Sequence, residues 1–74
     1  MIGFSKEKFA KRLAELMEEK GLNNQTLGDA VGIPRTSISN WRNCRRTVQV
    51  DAIIKLAHFF DVTTDYMLGI VDLI

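Results

Sequence analysis

Seventy-four residues, 46% hydrophobic and 26% charged, make one small globular domain rather than a disordered chain, and its core must be closely packed. A single cysteine excludes an internal disulfide, no apolar run approaches the ~20 residues of a membrane span, and "MIGFSKEKF" lacks the stretch of a secretory signal, so a reducing, cytoplasmic setting is expected. Net charge is only +1, yet residues 35–55 hold Arg35, Arg42, Arg45, Arg46 and Lys55 against Asp51 alone, while 56–74 hold three aspartates and no Lys or Arg.

The elements all read as helices. Ser5 is a good N-cap, with Phe4 and Phe9 at the spacing of a hydrophobic staple. Phe9, Leu13, Leu16, Met17 and Lys20 then follow a helical period up to Gly21, with Leu22 able to fold back on Met17. Asn23 starts a second helix of about two turns, stapled by Leu22 and Leu27 and closed by Gly32. Pro34 presets the backbone at the entrance of a third helix, which Asn43-Cys44 ends in a turn. "VQVDAIIKLAHFF" has apolar residues at 50, 53, 54, 56, 57 and 60, a broad stripe suited to a buried fourth helix. Val62 and Met67 staple a short fifth helix that Thr63 caps and Gly69 stops. No alternating strand pattern precedes the tail, so the fold class is all-α with five helices. The domain is expected over residues 1–69, followed by an apolar tail, 70–74, that is either a dimer contact or the start of a linker.

Two of these helices make a specific demand. Short helices joined by Gly32-Ile33-Pro34 have the spacing of a helix-turn-helix, whose members cross at ~90–120°. A steep crossing needs a small residue where one helix passes over the other. Gly28 supplies it, at a cost of about 1 kcal/mol against alanine. Leu27, Val31, Ile33, Ile38 and Trp41 then share one core. Around Ile38 and Trp41 the third helix, "RTSISNWRN", is polar or basic and carries no acid, which suits a surface that reads nucleic acid. Trp41, at core spacing, reads as packing rather than as a base-stacking platform.

With these residues in hand, the chain resembles the lambda-repressor-like, Xre/Cro-type helix-turn-helix family over about residues 5–69. The resemblance rests on "KRLAELMEEKGLNNQTLGDAVGI", "TSISNWRN" and "DAIIKLAHFFDVTTDYMLG". It implies a compact five-helix domain that binds double-stranded operator DNA, commonly as a homodimer, with no cofactor. The function expected is therefore a sequence-specific transcriptional regulator, a repressor on an inverted-repeat operator. Its third helix in the major groove would place Arg35, Thr36, Ser37 and Asn40 at base edges, where Arg suits guanine, Asn adenine, and a Thr methyl the thymine methyl. Asn24 and Gln25 at the start of the second helix, with Arg42, Asn43, Arg45 and Arg46 around the end of the third, suit phosphates. Ile70, Val71, Leu73 and Ile74 are the expected dimer contact, as four apolar residues after a helix stop.

The sequence departs from the family pattern at four places. Asn24 stands at a frequent Gln, Pro34 at a common Ser, Arg42 at a frequent Glu and Cys44 at a frequent Gly. The last is expected to strain the turn or to shift positive φ to Asn43. Other classes find less support. Catalysis would need a nucleophile with its base, a phosphate loop or a metal cluster, and a lone Cys44 and His58 provide none of these. An interaction module that keeps the fold without reading DNA would favour acids on the third helix, and there are none. An antitoxin that also represses its own operon shares every feature named above.

Overall fold

The computed structural model describes residues 5–70, and these form five helices, α1 (Lys6–Glu19), α2 (Asn24–Val31), α3 (Arg35–Arg42), α4 (Val50–Phe60) and α5 (Thr64–Met67), with no strand among them. Phe4, and with it the expected staple on Phe9, lies outside the described residues. So do Val71, Leu73 and Ile74 of the expected dimer contact. Ile70 is half-buried, and its N–H donates to the Asp65 carbonyl.

Local chemistry sets each boundary. Ser5 caps α1 by accepting from the Lys8 N–H. At α2 the cap is reciprocal: the Asn23 side chain accepts from the Thr26 N–H at 2.8 Å, and the Thr26 hydroxyl accepts from the Asn23 N–H at 2.9 Å. This satisfies two donors that a short helix would otherwise leave to water. Thr63 caps α5 with a single bond, its hydroxyl accepting from the Tyr66 N–H at 3.1 Å.

One core joins the five elements. Phe9, Leu13 and Met17 of α1 meet Leu27 of α2, Ile38 and Trp41 of α3, Leu56 and Phe60 of α4, and Met67 of α5. Phe9 and Trp41 stand edge to face with centroids 6.2 Å apart, an aromatic geometry that fixes α3 against α1. The Arg12 guanidinium lies 4.1 Å from the centre of the Tyr66 ring and helps hold α5 on α1. Val48, which no periodicity marks, is buried in the same core and pins the chain between α3 and α4.

The steep α2–α3 turn depends on two glycines. Gly32 adopts φ +72° and donates to the Gly28 carbonyl at 2.8 Å, and the Ile33 N–H donates to the same oxygen at 3.0 Å. Gly28 itself lies under the turn, where a Cβ would fall 2.5 Å from the Ile33 carbonyl oxygen.

Two expectations need correction. The stripe on α4 is wider than the surface that covers it: Val50 is 73% exposed and Ile54 47% exposed, because the buried side is formed by Ala52, Ile53, Leu56, Ala57 and Phe60, with Phe59 packed at its edge. Lys20 caps the end of α1 and is exposed rather than part of its packed face. Of the two outcomes open for the turn after α3, the positive φ stays at Cys44 (φ 59°), the strained one, while Asn43 keeps φ −99°. Val31 and Ile33 are only half-buried, packed on the edge of the core.

Candidate nucleic-acid interface

The orientation of α3 follows from two side chains. Ile38 and Trp41 are buried, and with ~100° between successive residues the opposite side of the helix carries Thr36, Ser39, Asn40 and Asn43. Arg35 and Thr36 are exposed, and Ser37, Ser39 and Asn40 are half-buried. Pro34 occupies the N-cap position and no side chain caps the helix; the Ser37 N–H donates to the Pro34 carbonyl at 3.0 Å.

A cleft flanks α3 on each side. One runs between α3 and the start of α2, lined by Asn24, Gln25, Arg35, Thr36, Ser39 and Arg42. The other runs between α3 and the loop to α4, lined by Ser37, Asn40, Arg45, Arg46, Thr47 and Gln49. Four arginines line the pair and no acid does. Such a surface has the sign and shape to accept a polyanion along both sides of a protruding helix.

The sequence-selected residues divide accordingly. Arg35 and Thr36 stand on the α2 side, Ser37 and Asn40 on the loop side, and all four reach the same exposed helix. Arg45 and Arg46 follow it immediately, both exposed. The Asn24 side-chain oxygen accepts from Arg42 Nη1 at 2.8 Å. The longer Arg42 thus extends over the start of α2 and Asn24 orients it. Gln25 donates to the Asp29 carboxylate at 2.9 Å. Asn43 folds back, donating through Nδ2 to the Ser39 carbonyl at 2.8 Å, so it secures the end of α3.

Three residues escaped the sequence reading. Ser39 was passed over although the helical phase puts it between Thr36 and Asn43. Thr47 and Gln49 line the loop-side cleft, and nothing in the local sequence signals this, because it depends on how buried Val48 turns the loop. Among the described residues, no group of three His, Cys, Asp or Glu could hold a metal ion, and no helix is long and apolar enough to cross a membrane.

A short-turn helix pair with its second helix bare, basic and acid-free defines a DNA-binding helix-turn-helix domain. The helix-turn-helix family model matches residues 13–67, and the chain belongs to this family, in its lambda-repressor-like, Xre-type branch. Among curated relatives, the HTH-type transcriptional regulator ImmR of Bacillus subtilis is 30% identical over 59 residues, covering 80% of this chain and 46% of its own. The HTH-type transcriptional regulator AnsR of the same organism is 33% identical over 58 residues, 78% of this chain and 50% of that one. The chain therefore spans about half the length of the curated relatives it matches. Among solved structures, the restriction-modification controller protein C.AhdI from Aeromonas hydrophila superposes with a TM-score of 0.76 at 32% identity, over 84% of this chain and 94% of that one. A transcriptional regulator from Listeria innocua superposes at 0.77 over 89% of this chain and 62% of its own, and at 23% identity it speaks for the fold alone.

Proposed function

We propose that the chain is a sequence-specific repressor that seats α3 in the major groove of an inverted-repeat operator and binds as a two-fold dimer. The observation that carries this reading is the bare outer side of α3 between two arginine-lined, acid-free clefts. Arg35, Thr36 and Asn40 read base edges, with Ser37 and Ser39 beside them. Arg45 and Arg46 hold the backbone that flanks the α3–α4 loop. Arg42, oriented by Asn24, holds a phosphate at the start of α2, where the cap bonds use the N–H groups of Asn23 and Thr26 but not those of Asn24 and Gln25. The two α3 helices of a dimer then lie about one DNA turn apart, ~34 Å. The apolar tail, 70–74, is a candidate contact for that dimer, and the cytoplasm is where such a regulator meets its operator.

Selection of bound sequences from a random duplex pool tests this reading. It returns a preferred half-site repeated in inverted orientation; enrichment of no sequence at all contradicts it. A narrower role, control of a restriction-modification system, is favoured by the 32% identity to C.AhdI, which is matched over nearly its whole length. That role requires the selected site to lie upstream of restriction and methylation genes.

A further inference from the structure

Beyond the DNA-facing side, the largest departure from a well-covered surface is the outer face of α4. Among the described residues, Val50 and Ile54, one turn apart, are the exposed large hydrophobics, at 73% and 47%. The stripe continues past Ile54 into a shallow apolar groove whose walls include Val31 and Phe59. Asp51 and Lys55, also one turn apart and exposed, run alongside it. A carboxylate four residues before an ammonium on a helix is well placed to pair within the chain. Here the two do not, and neither is engaged with any other described residue.

We propose that this face binds the same face of a second copy, with the two α4 helices antiparallel about a two-fold axis. The chemistry is self-complementary in that arrangement and in no parallel one. A two-fold axis level with Ala52 sets Val50 against the partner's Ile54, and an axis level with Ile53 sets Asp51 against the partner's Lys55. The two requirements differ by one residue, about 1.5 Å along the helix, so a single axis meets both, and it meets each twice by symmetry. The axis passes through the first half of α4, and α4 begins beside Gln49, which lines the loop-side cleft next to α3. A two-fold axis sets both recognition helices at the same level along it.

The proposal rests on the dimer reading above, and charge reversal separates the two. Sedimentation of the full chain at tens of micromolar is expected to show a dimer. Asp51→Lys and Lys55→Asp, each alone, set like charges against each other twice and weaken that dimer about tenfold or more. An equimolar mixture of the two variants forms a heterodimer, and the double variant Asp51→Lys/Lys55→Asp recovers wild-type association. Both substituted positions face water, and circular dichroism checks that the variants keep their helices. If the wild type dimerises and neither single reversal alters it, the contact lies elsewhere and the α4 proposal is overturned while the dimer stands. A monomeric wild type that binds a half-site as tightly as a palindrome overturns both.

Discussion

Replacing Gly28 with alanine tests the geometry on which the whole DNA-facing surface depends. In an unconstrained helix interior the change stabilises, by about 1 kcal/mol. Here the new Cβ meets the Ile33 carbonyl oxygen at 2.5 Å and the Ile38 Cδ1 at 3.6 Å. The carbonyl belongs to the turn backbone, so an ordinary carbon–oxygen contact of ~3.3 Å requires the turn to retreat by roughly 0.8 Å. That turn is tied to Gly28 by hydrogen bonds from Gly32 and Ile33, so the retreat strains both. Overpacking of this kind costs about 1–3 kcal/mol, and the upper end applies because a backbone atom, not a flexible side-chain tip, must move. After the propensity gain, a net loss of about 1–2 kcal/mol remains. For a domain of this size that lowers Tm by roughly 4–16 °C. DNA affinity falls as well, measured below the new Tm, because α2 and α3 contact one duplex and their spacing has changed. A Gly28→Ala protein that melts at or above the wild-type temperature would show that helix propensity wins. The close crossing would then not be what demands glycine.

Arg35→Ala and Asn40→Ala should each cost ~1–3 kcal/mol on the preferred site and relax selection at one base pair, whereas Arg45→Ala weakens all sequences alike; binding-site selection with each variant reports the difference. Cys44→Gly should raise Tm by a few degrees in a thermal melt, since relief of ~1–2 kcal/mol at φ 59° exceeds the backbone entropy glycine adds; an unchanged or lower Tm counts against strain in this turn. Asn23→Ala removes the cap of α2 and should cost about 1 kcal/mol in denaturant unfolding, and a loss below a few tenths would mean water replaces the cap at no cost.

How much of this was legible in the sequence depended on the range of the interaction concerned. Ser5, Asn23 and Thr63 act on N–H groups three residues ahead, so spacing alone identifies them as caps. Gly28 was legible for a related reason, because a glycine in a helix beside a three-residue turn needs a cause and close approach supplies one. Arg42 and Asn24 are eighteen residues apart and meet only once the turn has set the crossing, so their bond could not be read from either neighbourhood. Val50 and Ile54 were misjudged because periodicity reveals which side of a helix is apolar but not how much of that side its neighbours cover. Asn43 was read by its polarity, but the nearby Ser39 carbonyl takes its amide. Ser39 could have been found by carrying the phase fixed by Ile38 and Trp41 around the helix.

The central claim is that α3 and its flanking arginines read duplex DNA, and it is tested most directly by measuring affinity against salt concentration on a selected operator and on a scrambled duplex. With Arg42, Arg45 and Arg46 each neutralising one phosphate, the log–log slope should be about −2.7 per subunit, and the operator should bind more tightly than the scrambled duplex at every salt concentration. A slope near zero, with operator and scrambled duplex bound equally, would contradict the account.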